Sequence, residues 1–178
     1  MTRQLIFIGG IHGVGKTFLC EILCERYNMM HVSASALIKK HVVFSKEKHV
    51  DDIEYNQQVL AVELQKLEFN KLMVLLDGHF TLINTAGEVS DVPYKTFDII
   101  SPSSIIVLVK DVKEIARQVY NRDGRIIEEA FLSRHQAREV SYACEVGQIL
   151  GVPVLEIGVE KCFESTISQI WNIIGVQK

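Results

Sequence analysis

The sequence predicts an α/β fold around a parallel sheet, and three observations carry the prediction. Apolar runs of strand length alternate with stretches of helical periodicity. A glycine-rich segment joins the first run to the first helical stretch. With 178 residues, 48% hydrophobic and 23% charged, the chain has material for one substantial core, so a single domain over 1–178 is expected.

Leu5-Ile6-Phe7-Ile8 is uniformly apolar and ends in Gly9-Gly10, the pattern of a strand buried on both faces. From Thr17 to Tyr27, Phe18, Leu19, Ile22 and Leu23 recur at helical spacing, with Glu21, Glu25 and Arg26 elsewhere. A short alternating piece, Met30 to Ser33, and a helical stretch over about 34–43 follow, up to a charged break at Ser45-Lys46-Glu47-Lys48. Over 51–71, Ile53, Val59, Leu60, Val62, Leu64 and Leu67 lie among polar residues, which predicts a long amphipathic helix capped by Asp51 or Asp52. Leu72 to Leu76 is the next buried strand, stopped by Asp77-Gly78-His79. Open α/β sheets place their chemistry at such carboxyl ends.

Residues 81–103 contain Pro93 and Pro102 and no sustained period, so an irregular, functional loop is expected there. Ile105 to Val109 is a strand, and Asp111 opens a helix that reaches about Asn121 before Arg122-Asp123-Gly124-Arg125 breaks it. A long helix over about 126–150 ends at Gly151. Pro153 leads into the strand Val154 to Ile157, and a closing helix, Phe163 to Ile174, carries the lone Trp171.

Nineteen Lys and Arg against 22 Asp and Glu give 19 − 22 = −3, which argues against a surface that tracks nucleic-acid phosphates. No apolar run approaches the ~20 residues of a membrane helix. Leu5 to Ile8 is too short for a signal peptide, so a cytoplasmic location is expected. Cys20, Cys24, Cys144 and Cys162 contain no C-x-x-C pair and read as reduced, mostly buried thiols; Cys20 and Cys24 stand one helical turn apart, where core packing outweighs a metal or redox role.

Gly10-Ile11-His12-Gly13-Val14-Gly15-Lys16-Thr17 fits G-x-x-x-x-G-K-[ST] at every fixed position, between a predicted strand and a predicted helix. Such glycines let consecutive backbone N–H groups face a polyphosphate, and the helix N-terminus adds favourable partial charge. The phosphate-binding segment is Gly10, His12, Gly13, Val14, Gly15, Lys16, Thr17 and Phe18, with His12 either touching phosphate or filling a variable position. Lys16 is expected to reach the β- and γ-phosphates of a bound nucleotide triphosphate. Thr17 and Asp77 are the expected Mg²⁺ partners, with helix capping the alternative for Asp77.

These residues resemble the adenylate kinase family, in particular the archaeal-type enzymes and their eukaryotic nuclear relatives. The likeness rests on Gly10 to Thr17, on Leu75-Leu76-Asp77-Gly78-His79-Phe80, on Asp98 to Pro102 followed by Ile105 to Val109, and on Asn121-Arg122-Asp123 followed by Arg134-His135-Gln136. It implies a three-layer α/β/α nucleotide kinase-like P-loop fold with a five-stranded parallel sheet, an acceptor-binding segment over about 33–70 and a short lid over about 121–134. It also implies transfer of a phosphoryl group from ATP to a nucleoside monophosphate. Ser33, Ser35 and Lys39 fall where this group holds its acceptor, but Ala34 and Lys39 stand where it commonly has Thr and Arg. Lys cannot grip a phosphate bidentately and Ala offers no hydroxyl, which argues against AMP as the acceptor.

Phosphoryl transfer demands in-line positioning and convergent cations. Lys16 supplies one, and the lid region offers Arg117, Arg122, Arg125, Arg134 and Arg138, of which Arg122 best matches the family's lid arginine. The catalytic set is therefore Lys16, Arg122, Arg125, Asp77 and His79, the last either touching the transferring phosphate or hydrogen-bonded structurally. Tyr55, Gln57 and Gln58 read as acceptor-base contacts or as ordinary helix surface, and Tyr55 and Gln58 join Ser33, Ser35 and Lys39 in the acceptor set. Asp111 reads as a helix cap or as part of an adenine pocket. Two alternatives stand beside a monophosphate kinase: a kinase of another small molecule, and a slow ATPase acting as a switch or assembly factor.

Overall fold

A computed structural model describes residues 4–44, 53–67, 70–159 and 163–174. The elements begin with β1 (Gln4–Gly9), α1 (Lys16–Tyr27), β2 (Met30–Ser33), α2 (Ala34–Phe44), α3 (Ile53–Lys66) and β3 (Met73–Asp77). They continue with β4 (Thr81–Ile83), β5 (Val89–Asp91), α4 (Tyr94–Ile100), β6 (Ser104–Val109), α5 (Val112–Asp123), α6 (Glu129–Leu150), β7 (Val154–Gly158) and α7 (Phe163–Ile174). β2, β3, β1, β6 and β7 lie side by side in that order, every pair parallel. This is the five-stranded sheet that the sequence resemblance implies.

Period-two alternation divides the apolar strand residues between two cores. Ile6, Ile8, Leu75, Ile106 and Leu108 face α1 and α7, packing on Leu19, Leu23, Ile167 and Ile170. Phe7, Val74, Leu76, Ile105 and Val107 face the other way, onto Leu60 and Leu64 of α3, Phe97 of α4, and Ala143 and Val146 of α6. The lone Trp171 stacks on Tyr27 with centroids 3.8 Å apart, and the exposed Arg26–Glu164 pair also joins α1 to α7.

Helix ends follow local chemistry. Asp111 accepts from the Lys113 N–H at 2.8 Å and caps α5, the first of its two readings. Gly124 and Gly151 end α5 and α6 in the left-handed region.

Several boundaries differ from the sequence reading. Residues 81–103 are not irregular: β4 and β5 form an antiparallel hairpin and α4 follows. The Asn84 side chain closes the turn by accepting from Ala86 N and Glu88 N, and Pro93 starts α4 instead of breaking a period. Three-residue strands are too short to display a pattern. α6 begins at Glu129, not near 126, because Ile126 is 89% exposed while Ile127 packs beside Ile11, Ile115 and Leu132. The expected long helix over 51–71 is α3 over 53–66. The Ser45 to Lys48 break, the Asp51 or Asp52 cap and Cys162 lie outside the described residues. Among the described residues no helix is long and apolar enough to cross a membrane.

Candidate functional site

The loop between β1 and α1 curls because Gly10, Gly13 and Gly15 take φ of 138°, 85° and 105°, values that L side chains rarely adopt. Contacts add to the restriction: a Cβ on Gly10 would lie 2.8 Å from the Leu108 carbonyl oxygen, and one on Gly13 would lie 2.9 Å from Val119. Ile11 and Val14 are wholly buried and anchor the loop, which leaves its polar side facing out. Phe18 is 52% exposed and meets Phe163 edge-on.

Lys16 folds back along the loop and donates to the Gly10 carbonyl at 2.5 Å and the Ile11 carbonyl at 3.4 Å. Removal from water pulls its ammonium down to about 8, against the opposing charges of Glu139 and Asp77.

Asp77 ends β3 in register with Ser33 of β2 and Ile8 of β1, so the sheet itself carries it to the loop. Its carboxylate accepts from His31 at 2.6 Å, Ser33 at 3.1 Å and Thr17 at 3.2 Å. Burial pushes this carboxyl up, but His31, Lys16 and Ser33 outweigh it and hold it below the usual range. The group is ionised at neutral pH. Thr17 and Asp77 thus present a hydroxyl and a carboxylate side by side, the oxygen donors that Mg²⁺ requires.

The loop, Lys16, Thr17, Phe18, Asp77, His79, Ser35, Lys39, Gln118, Arg122 and Asp123 line one cavity of about 590 Å³. A smaller cavity of about 90 Å³ opens beside it, walled by Phe7, Ile38, Leu60, Leu82, Val92 and Phe97 and carrying Gln57 and Thr96. Ser35, Asp77 and His79 belong to both.

His79 packs on His12 with ring centroids 4.4 Å apart, and its Nδ1 is buried without a partner. Burial, then the charges of Lys16 and neighbouring rings, holds His79 well below the usual imidazole range. The pocket walls, then Lys16 and Arg122, push His12 down to about 4, although part of its ring reaches solvent. Both rings are neutral at neutral pH.

The structure brings some predicted residues together and parts others. Arg122 lines the large cavity and pairs with Asp123. Arg125 does not: past the Gly124 turn it joins Ile83, Ile126, Phe131 and Arg134 around a separate groove. Arg138 is bound to Asp91 and Glu145 and lies over Tyr142, which ties α6 to the hairpin. Ser33 bonds Asp77 and Ser35, whereas half-buried Tyr55 lines neither cavity. Gln58 is exposed in another groove with Pro93 and Lys95, and its neighbour Gln57 faces the small cavity.

Sequence reasoning missed Glu139. This wholly buried carboxylate accepts from Gly10 N, Phe80 N, Thr81 N and Thr81 Oγ1 at 2.6–2.9 Å, and so joins the phosphate loop, the turn after β3 and α6. One signal was available: Leu132, His135, Glu139, Ala143 and Val146 form the buried stripe of α6, and a carboxylate in such a stripe requires donors. Gln118 was also missed, although it sits one turn before Arg122 on the same face of α5.

Comparison with known proteins bears on the family and the fold. An AAA domain family model matches residues 9–130. The adenylate kinase of Pyrococcus horikoshii is 22% identical, with 97% of this chain and 95% of that protein covered. Shikimate kinase from Acinetobacter baumannii, solved with shikimate, superposes with a TM-score of 0.66 at 20% identity, over 99% of this chain and 96% of that one. Thymidylate kinase from Candida albicans gives 0.58 at 17% identity, over 98% and 92%. The fold is that of the P-loop kinases. With its glycine loop on β1, its Lys16 and its strand-end Asp77 all inside or beside the matched span, the chain belongs to the AAA domain family.

Proposed function

We propose that this chain is an ATP-dependent phosphotransferase that moves the γ-phosphoryl group of ATP to a nucleoside monophosphate, giving ADP and a nucleoside diphosphate. The observation that carries this reading is the junction of two cavities at Asp77 and His79: a polar one around the phosphate loop and a small apolar one with Gln57 and Thr96 on its wall. An ATPase that only hydrolyses has no use for the second. A donor and an acceptor seated in the two would meet at the shared residues, which is the proximity that transfer requires.

In this reading Lys16 holds the donor phosphates, and Arg122, at the end of α5, folds over the moving group and excludes water. Ser35 and Lys39 meet the acceptor phosphate, and Gln57 meets its base. The acceptor side falls within about 33–70 and the lid within about 121–134 of one kinase unit. Thr17 and Asp77 would hold Mg²⁺, which when bound supplies charge neutralisation on the donor phosphates.

The test is ATP consumption by the purified protein alone and with AMP, CMP, UMP or GMP. Consumption is slow alone and accelerates with at least one of them; no acceleration with any overturns the monophosphate assignment. A second reading, a kinase of another small hydroxylated molecule, is favoured by the size of the apolar cavity, since ~300–1,000 Å³ is usual for ligand sites and this one measures about 90 Å³. The solved structures that share this fold include a shikimate kinase, so shikimate belongs in the same panel.

Two predictions arise here. Arg122→Ala lowers kcat by about a hundredfold with ATP affinity largely retained, because the guanidinium is 59% exposed and serves the transition state more than the ground state. Equal losses in both parameters would refute the lid assignment. The second concerns pH. Free Lys16 loses its proton near pH 8, whereas a bound triphosphate favours the ammonium, so the complex keeps a proton that the free protein releases. ATP affinity is then flat below about pH 8 and falls above it by up to about tenfold per pH unit. Calorimetry in buffers of different ionisation enthalpy, just above that pH, reads net proton uptake; none would contradict the assignment.

A further inference from the structure

Beneath the phosphate cavity, Cys20 of α1, His31 of β2 and Asp77 of β3 converge. One ligand atom from each lies within 4.8 Å of the other two, with Cys20 and Asp77 buried and His31 half-buried. Thr17, one helical turn before Cys20 and so on the same face of α1, places its hydroxyl 3.2 Å from the same carboxylate. We propose that Cys20, His31 and Asp77, with Thr17 at the fourth corner, bind a borderline-soft divalent cation of zinc chemistry that competes with magnesium for Asp77.

The donor set decides which ion fits. Sulfur, imidazole nitrogen and carboxylate oxygen are the ligands that zinc prefers, whereas magnesium takes oxygens and leaves sulfur and nitrogen aside. Zn–S of about 2.3 Å and Zn–N of about 2.0 Å place tetrahedral ligand atoms roughly 3.5 Å apart. The three atoms, within 4.8 Å of one another, must shift by roughly an ångström to reach that spacing.

Charge also fits, because a thiolate and a carboxylate offset the two charges of the ion and a neutral complex is what a buried site tolerates. As the Zn–S bond forms, the thiol proton passes to the buffer. Asp77 and Thr17 line the large cavity, so the ion arrives by the nucleotide's route. Once bound, it breaks the His31–Asp77 hydrogen bond and takes the carboxylate that magnesium would use. Ion binding stands without the kinase reading; the resulting inhibition of transfer rests on it.

Cobalt(II) is the probe. One equivalent gives a thiolate-to-cobalt charge-transfer band and the strong visible bands of a tetrahedral ion, and zinc displaces them. Cys20→Ala abolishes the charge-transfer band and weakens zinc binding by at least about tenfold. Magnesium-ATP binding by that variant, with its thermal melt, checks that the phosphate loop still folds. His31→Gln serves as a second variant and also lowers zinc affinity. No band in the unaltered chain, or a band that persists in Cys20→Ala and so belongs to another cysteine such as exposed Cys144, overturns the site. The spectrum needs no ATP, so its failure and the failure of the acceptor panel are separate results.

Discussion

Lys16→Ala abolishes phosphoryl transfer while the fold survives. The ammonium is the buried cation of the phosphate loop, 8% exposed and already held by two loop carbonyls, so it is in place before a nucleotide arrives. Its removal costs at least about 10²–10³ in kcat, the usual effect of deleting one preorganised donor to a charged transition state. It also costs about 2 kcal/mol of ATP binding, roughly thirtyfold in Kd. Stability moves the other way or not at all, because burial already penalises the charged form of Lys16, as its lowered pKa records. Steady-state rates, calorimetric ATP titration and a thermal melt on the one variant check all three. Turnover within about tenfold of the unaltered chain would remove Lys16 from the chemistry.

The largest stability effect belongs to Glu139→Ala. Three backbone N–H groups and the Thr81 hydroxyl lose their acceptor in a wholly buried place, away from bulk water. Each buried donor left unmade costs about 1–3 kcal/mol, and partial relaxation brings the sum to about 4 kcal/mol. For a chain of this size that lowers Tm by about 10 °C. Glu139→Gln keeps the shape and one acceptor oxygen but turns an NH₂ toward other donors, so it costs about half as much. ATP binding weakens in both, since Gly10 and the turn beside His79 lose the same anchor. A Tm within about 2 °C in the alanine variant would show that the four bonds contribute nothing net.

How much of this was legible in the chain depends on the distance over which each feature is decided. The loop from Gly10 to Thr17 is contiguous, and its conformation follows from glycines that act on their own backbone angles. Asp77 was legible as the residue that stops an apolar run. The parallel sheet followed from helices and strands in alternation, each visible through its own period.

Other pairs of neighbouring residues had indistinguishable local sequence and different fates. Gln57 and Gln58 differ by 100° around α3, and the cavity that only one of them faces exists because α2, α4 and β1 close around it. Arg122 and Arg125 are three residues apart, but the left-handed turn at Gly124 sends them to different grooves. Hairpin strands of three residues carried no readable alternation.

The sequence by itself determined the parallel α/β fold, the phosphate loop and the strand-end carboxylate, because periodicity and backbone preference act over a few residues. Only the tertiary structure decided that Glu139 belongs to the site, since its donors lie 58 to 129 positions away. A buried carboxylate is tolerated solely where such distant groups satisfy it.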